Sequence, residues 1–272
     1  ALYGLAPDVT FERCTFSKCG AAILSDNVKK FTFIDNAVTY SAQQVISITK
    51  LQDRPTITGN SFRFNKLNNS NLITLIHTTD QIEIINNTFD GNSLVGSGQT
   101  IEGGGSGLKV QGSSESFLYI NDCHCVDNKN DYTTTDTNSN QGGALYLSLQ
   151  QTIELTIQRC DFKSNSAKGK GGALAVSASK DVSIRGCTFE GNSATQGGNV
   201  MLINIEKIGN EEPKLFVNKC HFINNGQVGS LSMIEGSCVD MTFDENEIKF
   251  SDKSKSCSAF LLTTKGTIVL SN

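Results

Sequence analysis

The middle of the chain reads Ile157-Gln-Arg-Cys160-Asp-Phe162-Lys-Ser-Asn165 and then Gly171-Gly-Ala-Leu174-Ala-Val176. The same pattern returns as Ile184-Arg-Gly-Cys187-Thr-Phe189-Glu-Gly-Asn192, followed by Gly197-Gly-Asn-Val200-Met-Leu202. Each copy joins a short alternating apolar run, a Phe-x-x-Asn turn and a run of small and aliphatic residues that opens with glycine. Self-similarity of this kind is the signature of a repeat protein, in which each unit packs on its neighbours.

The Phe-x-x-Asn motif aligns nine units along the whole chain. The aligned anchors are Phe16, Phe33, Phe62, Phe89, Cys125, Phe162, Phe189, Phe222 and Phe243. Three residues after the anchor, the alignment predicts a ladder formed by Asn36, Asn65, Asn92, Asn128, Asn165, Asn192, Asn225 and Asn246. Two residues before the anchor, the units carry Phe31, Asn60, Asn87, Cys123, Cys160, Cys187, Cys220 and Met241. Positions that persist over so many units indicate that equivalent residues stack on one another.

The apolar residues alternate with a period of two, as in Ile153-x-Leu155-x-Ile157, which indicates strands. Strands that recur without helices between them stack as rungs about 4.8 Å apart. The sequence therefore predicts an all-β fold, a parallel β-helix with about nine to ten rungs. We expect residues 1–272 to form one domain. The run Gly266-Thr-Ile-Val-Leu270 begins a rung with no anchor after it, so we expect a piece of a longer solenoid that continues end to end.

The two polar columns are predicted to be structural. Stacked asparagine amides bond to one another and to turn backbone along the axis. The column of Cys123, Cys160, Cys187 and Cys220 is predicted to pack as reduced thiols, because free cysteine behaves as a small hydrophobe. A ladder spreads its side chains along an axis, whereas metal ligands converge on one point, so we predict no metal site and no cofactor. Cys238 with Cys257 is the one pair that we would test as a disulfide.

Composition narrows the classes of function. The formal net charge is −4, and Lys and Arg are scattered, so we predict neither a nucleic-acid surface nor an anionic-membrane surface. No apolar run approaches the length of a membrane span, so we predict no membrane insertion. Nine cysteines in a chain without tryptophan favour an extracellular or cell-surface location.

No catalytic constellation is evident in the sequence. His124 and His221 share one repeat position, predicted to face solvent, and lack a third ligand. Arg13, Arg159 and Lys219 share another outward column, but no pair of carboxylates lies beside it. The long polar insert at 128–141 is the predicted binding loop, because loops on a rigid scaffold commonly carry function. Its candidate binding residues are Asp131, Tyr132, Thr133 and Asp136.

Phe-x-x-Asn followed by Gly-Gly-Ala-aliphatic resembles the repeat of the chlamydial polymorphic outer-membrane proteins and related microbial surface proteins. The matching residues are Phe162 and Asn165 with Gly171-Gly-Ala-Leu174, Phe189 and Asn192 with Gly197-Gly198, Cys125 and Asn128 with Gly142-Gly-Ala-Leu145, and Phe16 and Cys19 with Gly20-Ala-Ala-Ile23. The resemblance implies that the fold is an extracellular single-stranded right-handed parallel β-helix, a pectin-lyase-like solenoid. Such proteins are often adhesins or autotransporter passengers, and the resemblance carries no catalytic residues.

We therefore expect a non-catalytic adhesion or interaction module at a cell surface or outside the cell. It would bind a protein or glycan of a host or neighbouring cell through its lateral face and inserted loops. Two alternatives stay open. One is a carbohydrate-active β-helix enzyme, either a polysaccharide lyase or a glycoside hydrolase, which would gather acidic and basic side chains on one outer face. The other is a passive spacer with a featureless surface.

Overall fold

The computed structural model describes residues 2–3, 6–20, 23–25, 27–68, 70–78, 81–97, 108–112, 116–133, 140–149, 153–210, 212–226, 232–250, 260–264 and 266–271. Within these ranges every regular element is a strand, and every strand pair is parallel. The strands form four sheets of ten, ten, nine and five strands, which we call sheets 1 to 4 in the order in which the chain visits them.

Sheets 1 and 2 carry the longer strands. Sheet 1 contains Leu2–Tyr3, Ile23–Ser25, Ile46–Ile48, Ile73–Thr78, Leu108–Gly112, Leu145–Leu149, Leu174–Ala178, Met201–Ile205, Ile234–Cys238 and Phe260–Thr264. Sheet 2 contains Ala6–Glu12, Val28–Ile34, Thr56–Thr58, Ile82–Ile85, Ser116–Asn121, Ile153–Gln158, Val182–Arg185, Lys214–Asn218, Asp240–Asp244 and Ile268–Ser271.

Sheets 3 and 4 carry the short strands. Sheet 3 contains Thr15–Ser17, Ala37–Thr39, Ser61–Arg63, Thr88–Asp90, His124–Val126, Asp161–Lys163, Thr188–Glu190, His221–Ile223 and Glu247–Lys249. Sheet 4 contains Lys66–Asn68, Ser93–Val95, Lys129–Asn130, Ser166–Ala167 and Ser193–Ala194.

One turn of chain lays one strand in each sheet, and the next turn pairs with it in register. Ile157 pairs with Ile184 in sheet 2, and Phe162 pairs with Phe189 in sheet 3. Sheets 1 and 2 each contain ten strands, one for each of ten rungs, so the predicted parallel β-helix is confirmed. None of the described residues forms a helix, and hence none forms a helix that is long and apolar enough to cross a membrane.

The interior is a set of stacked columns of apolar side chains. In sheet 3 the rings of Phe162, Phe189 and Phe222 stack with centroids 5.0 and 5.2 Å apart and nearly parallel planes. All three are essentially buried. Such offset stacks add to the stabilisation that the burial of apolar area provides. Cys125 takes the place of a ring between Phe89 and Phe162.

The register predicted from the motif is wrong at two rungs. Val38 pairs with Phe16 and Phe62, whereas Phe33 lies in sheet 2 beside Phe11 and Ile57. Likewise Ile248 pairs with Phe222, and Phe243 pairs with Val217 in sheet 2. The physical reason is that each rung turns two similar corners a few residues apart, so an apolar-x-x-Asn motif fits either of them.

Two further assignments change with this register. Asn36 and Asn246 belong to the ladder at the corner between sheets 2 and 3, not to the ladder that contains Asn192. Phe31 and Met241, predicted to share the cysteine column, lie in the sheet 2 core opposite Val9 and Leu215. The residues that hold these places in the cysteine column are Asn36 and Asn246.

The glycine corner before sheet 1 is as tight as predicted. Gly142 and Gly171 have φ of 71° and 72°, in the left-handed region that favours glycine. A Cβ on Gly172 would lie well inside 3.0 Å of the carbonyl oxygens of Asn199 and Ser193. The prediction that these corners leave no room for a side chain is therefore confirmed for these three residues.

Candidate functional site

A groove of about 560 Å³ lies along the outer face of sheet 1. Its hydrogen-bonding residues are Gln141, Lys170, Asn204, Glu235, Ser237 and Thr263. Leu202 and Leu261 supply the apolar surface. A concave site with a few polar groups beside apolar surface is typical of ligand-binding sites.

The glycine corner lies beside this groove, because Gln141 and Lys170, which line it, directly precede Gly142 and Gly171. Gly171 approaches so closely that a Cβ there would lie 3.1 Å from the backbone nitrogen of Leu202 on the next rung. A Cβ on Gly198 would lie 3.4 Å from Cβ of Glu235. Leu202 points away from the core, yet only 4% of its surface is exposed, because the corner lies against it. The motif that turns the chain therefore lies at the edge of the groove.

An ion pair between Lys170 and Glu235 lies in the groove. Nζ of Lys170 contacts Oε1 of Glu235, and the hydroxyl of Ser232 donates to Oε2 of Glu235 at 3.2 Å. The Glu235 side chain is 12% exposed and that of Lys170 is 36% exposed. A Cβ on Gly197 would collide with the Glu235 carboxylate, so the absence of a side chain there lets the two charges meet.

The floor of the groove is a row of hydrogen-bonding side chains at rung spacing. The strand register places Asn204, Ser237 and Thr263 one above the other in the groove, about 4.8 Å apart, and the same column continues beyond the groove to Ser177 and Ser148. The hydroxyl of Ser237 donates to Oδ1 of Asn204 at 3.4 Å. Such a row offers donors and acceptors along a line rather than at one point.

Two kinds of catalytic group can be checked against the described residues of the groove, namely carboxylates and metal ligands. Glycoside hydrolysis generally uses two carboxylates on opposite sides of the scissile bond. The described residues that line the groove supply one carboxylate, that of Glu235. Among the described residues no group of three histidine, cysteine, aspartate or glutamate side chains is arranged to hold a metal ion. Sequence reasoning missed Lys170 and Glu235 because they are 65 residues apart and neither belongs to the repeat motif.

The predicted binding loop is only partly a loop. Asp131 and Thr133 continue the edge of sheet 4, where their amides donate to the carbonyls of Leu94 at 2.9 Å and Gly96 at 3.0 Å. Both are exposed, whereas Tyr132 between them is 1% exposed and belongs to the core. The prediction that Tyr132 is a surface binding residue is therefore wrong, because strand alternation turns it inward. Asp136 lies outside the described residues.

The asparagine ladder between sheets 3 and 4 is fully buried and hydrogen-bonded along the axis. Oδ1 of Asn192 accepts from the backbone amide and from Nδ2 of Asn165, both at 3.0 Å. Nδ2 of Asn192 donates to the Phe162 carbonyl at 2.8 Å and to Oδ1 of Asn225 at 3.0 Å. The same pattern links Asn65, Asn92, Asn128 and Asn165. Each amide therefore satisfies backbone groups that the corner leaves without a strand partner.

The cysteine column forms an equivalent ladder at the corner between sheets 2 and 3. The Cys160 thiol donates to the Ile120 carbonyl at 3.6 Å, and its sulfur accepts from the backbone amide of Cys123 at 3.4 Å. In the same ladder Asn60 and Asn87 make these contacts with their amides. The cysteines therefore substitute for asparagine as weaker donors and acceptors, in addition to packing as apolar groups.

All cysteines in the described ranges are free thiols, and six of them are buried. Burial raises the pKa of the Cys125 thiol, and the hydrogen bond with Cys160 together with burial raises that of Cys123. The hydrogen bond from Cys187 lowers the pKa of Cys220, but this sulfur belongs to a residue with no exposed surface. Cys257, the predicted partner of Cys238, lies outside the described residues.

We expect thiol reactivity to follow this burial. In a Cys257→Ser background at pH 8, a chromogenic disulfide reagent should modify only the half-buried Cys14 and Cys19 within minutes. The six buried thiols should react only after denaturation, because the packing around them keeps the reagent out. Rapid modification of more than two thiols in the folded protein would contradict the buried ladder. Replacing Cys14 and Cys19 by serine is the control and should abolish the fast phase.

The outward charges at the corners are engaged with one another. Arg159 donates from Nε and a terminal nitrogen to the Asp122 carboxylate at 2.8 and 2.9 Å, which lowers the pKa of Asp122. Lys219 pairs with Glu245 at 3.5 Å. Each of these four residues is the one left-handed residue of this corner in its own rung, with φ near 50°. Their side chains point into solvent. Exposed pairs of this kind contribute little to stability.

The two histidines of sheet 3 each meet one carboxylate on the next rung. Nδ1 of His124 lies 3.0 Å from Oδ2 of Asp161, and Nδ1 of His221 lies 3.1 Å from Oε2 of Glu247. Both histidine side chains are about half exposed, at 52% and 53%. They lie on sheet 3, apart from the groove on sheet 1.

Comparison with known proteins agrees with this architecture. A family model described as a right handed beta helix region matches residues 4–248. No match is found among curated proteins or among solved structures.

Proposed function

Because this chain belongs to the right-handed β-helix family, we propose that it is a non-catalytic adhesion or interaction module at a cell surface or outside the cell. The fold occurs in enzymes and in binding proteins alike, so the proposal depends on the surface and not on the fold. The groove on sheet 1 is the observation that supports it. A passive spacer has no need of a walled groove with a polar floor.

The chemistry of the groove favours a glycan chain as the ligand. Asn204, Ser237 and Thr263 present hydrogen-bonding groups along the axis at intervals close to the length of a sugar residue. Leu261, which is exposed, supplies apolar contact surface beside them. Lys170 and Glu235 compensate each other, so the described lining residues carry no net charge and suit a neutral chain.

The test is retention of the purified protein on immobilised neutral and uronate polysaccharides, with new chain ends measured in the same samples. The double variant Asn204→Ala/Ser237→Ala should weaken retention on the preferred glycan by at least about tenfold, because both floor hydrogen bonds are lost. Thr188→Ala, an outward position on sheet 3, is the matched control and should change retention by less than about twofold.

The outcomes separate the alternatives. Retention without new chain ends supports the adhesion module. New chain ends would overturn the non-catalytic proposal in favour of a carbohydrate-active enzyme. This is the second candidate, because Glu235 lies in the groove beside Lys170. No retention on any glycan would contradict the glycan assignment. A protein ligand or a spacer would then remain.

A further inference from the structure

A second concavity lies on the outer face of sheet 2, away from the groove just described. This trough has a volume of about 360 Å³. The rings of Tyr119 and Phe216 bound it at its two ends, and Thr156 and Ser183 form the floor between them. The recess exists because these two rungs carry small side chains where the flanking rungs carry rings.

The spacing of the rings follows from the register. Tyr119 pairs with Thr156, Thr156 with Ser183, and Ser183 with Phe216, so the rings are three rungs or about 14 Å apart. This length holds two pyranose rings in a row. The Tyr119 side chain is 38% exposed, so its ring is open to a ligand.

The trough combines aromatic surface with groups that bind vicinal hydroxyls. The carboxylates of Glu154 and Asp181 and the guanidinium of Arg185 line it. Nε of Arg185 donates to the Ser183 hydroxyl at 2.9 Å, and Oδ1 of Asp181 accepts from the backbone amide of Lys214 at 2.8 Å. Pyranose rings present C–H groups that pack on aromatic rings and hydroxyls that pair with such polar groups.

The charge of the lining selects among saccharides. Glu154 and Asp181 carry two negative charges against the single positive charge of Arg185. A uronate would place a further carboxylate beside this net negative charge, which is unfavourable. We propose that the trough on sheet 2 is a second binding site, which takes a neutral saccharide segment of two pyranose residues. It lies on a different sheet from the groove and does not depend on the function proposed for that groove.

The chain offers a matched pair of variants for the test. Tyr119→Ala removes a ring that bounds the trough. Phe117→Ala removes a ring that is somewhat more exposed (46% against 38%), lies two residues earlier on the same face and does not line the trough. Ser183→Tyr fills the recess from an outward position and leaves the core unchanged. Calorimetric titration with maltotetraose, cellotetraose and chitotetraose, with tetragalacturonate as the anionic comparison, measures binding. Tyrosine fluorescence gives a second readout, because the chain has no tryptophan.

We expect at least one neutral tetrasaccharide to bind at least about tenfold more tightly than tetragalacturonate. Tyr119→Ala and Ser183→Tyr should each weaken that binding at least about tenfold, and Phe117→Ala less than about twofold. Absence of binding, equal effects of Tyr119→Ala and Phe117→Ala, or preference for the uronate would overturn the proposal. If only the double variant Asn204→Ala/Ser237→Ala loses binding, the saccharide binds in the sheet 1 groove. That result would overturn the second site and leave the function proposed for the groove intact.

Discussion

Asn192→Ala is expected to lower the free energy of unfolding by about 3–5 kcal/mol. The substitution removes a side chain with no exposed surface that makes four hydrogen bonds. It leaves the backbone amide of Asn165, one of the two N–H groups of the Asn165 side chain and the carbonyl of Phe162 without the partner that Asn192 supplies, in a place that water does not reach. The other side-chain N–H of Asn165 still donates to the Cys125 carbonyl. Each buried polar group left unpaired costs about 1–3 kcal/mol, and that sum outweighs the side-chain entropy that alanine no longer loses.

This change in the free energy of unfolding is measured by chemical denaturation, with circular dichroism as the signal. Asn68→Ala is the control, because Asn68 is an exposed strand residue, and it should alter the free energy of unfolding by less than about 0.5 kcal/mol. Equal stability of the two variants would mean that the ladder does not hold the rungs together. In Asn192→Ala the rate of amide hydrogen exchange should rise first at Asn165, because its backbone and side-chain N–H groups both lose the Asn192 oxygen to which they donate.

Gly172→Ala is the second substitution with a large expected effect. The added methyl group would meet the carbonyl oxygens of Asn199 and Ser193 well inside 3.0 Å, and the Ser193 carbonyl carbon at 2.6 Å. Both neighbours are backbone atoms of the adjacent rung, so relief requires the rungs to separate. We expect a loss of at least about 3 kcal/mol in the free energy of unfolding, at the upper end of overpacking effects.

Gly20→Ala provides the comparison within the same sequence motif. The nearest atom to a Cβ on Gly20 is the Gln43 side-chain oxygen at 3.5 Å, an ordinary contact. This variant should stay within about 1 kcal/mol of the parent protein and gain slightly from the lower entropy of its unfolded chain. If Gly172→Ala does not fold under standard conditions, the yields of folded Gly172→Ala and Gly20→Ala protein, both expressed at low temperature, give the same comparison. A Gly172→Ala protein as stable as Gly20→Ala would contradict the close approach of the rungs.

Several parts of the candidate site lay beyond sequence reasoning for a geometric reason. Lys170 meets Glu235 across two rungs because Gly197 between them has no side chain. Neither residue lies at a repeated position, so no alignment of the repeat singles it out. Tyr132 shows the converse error: its polar neighbours suggested a loop, but the strand continues through it and turns the ring inward.

The repeat motif also carried an ambiguity that only contacts resolve. Phe33-x-x-Asn36 and Phe62-x-x-Asn65 look alike, yet Asn36 bonds to Asn60 at the first corner and Asn65 bonds to Asn92 at the second. Both corners use a left-handed residue followed by a buried amide, so local sequence is the same at each. Val38 and Ile248, which occupy the anchor column without being phenylalanine, gave no signal.

The amino-acid sequence alone determined that this chain is a stack of parallel strands with buried polar ladders. Those properties follow from the period-two alternation and from the recurrence of one unit, and both are local to a rung. The tertiary structure decided which corner each motif occupies, which glycines have no room for a side chain, and where Lys170, Glu235 and the two concave faces come together. These depend on the register between rungs, which joins residues far apart in sequence, and on the shape of side chains across that register.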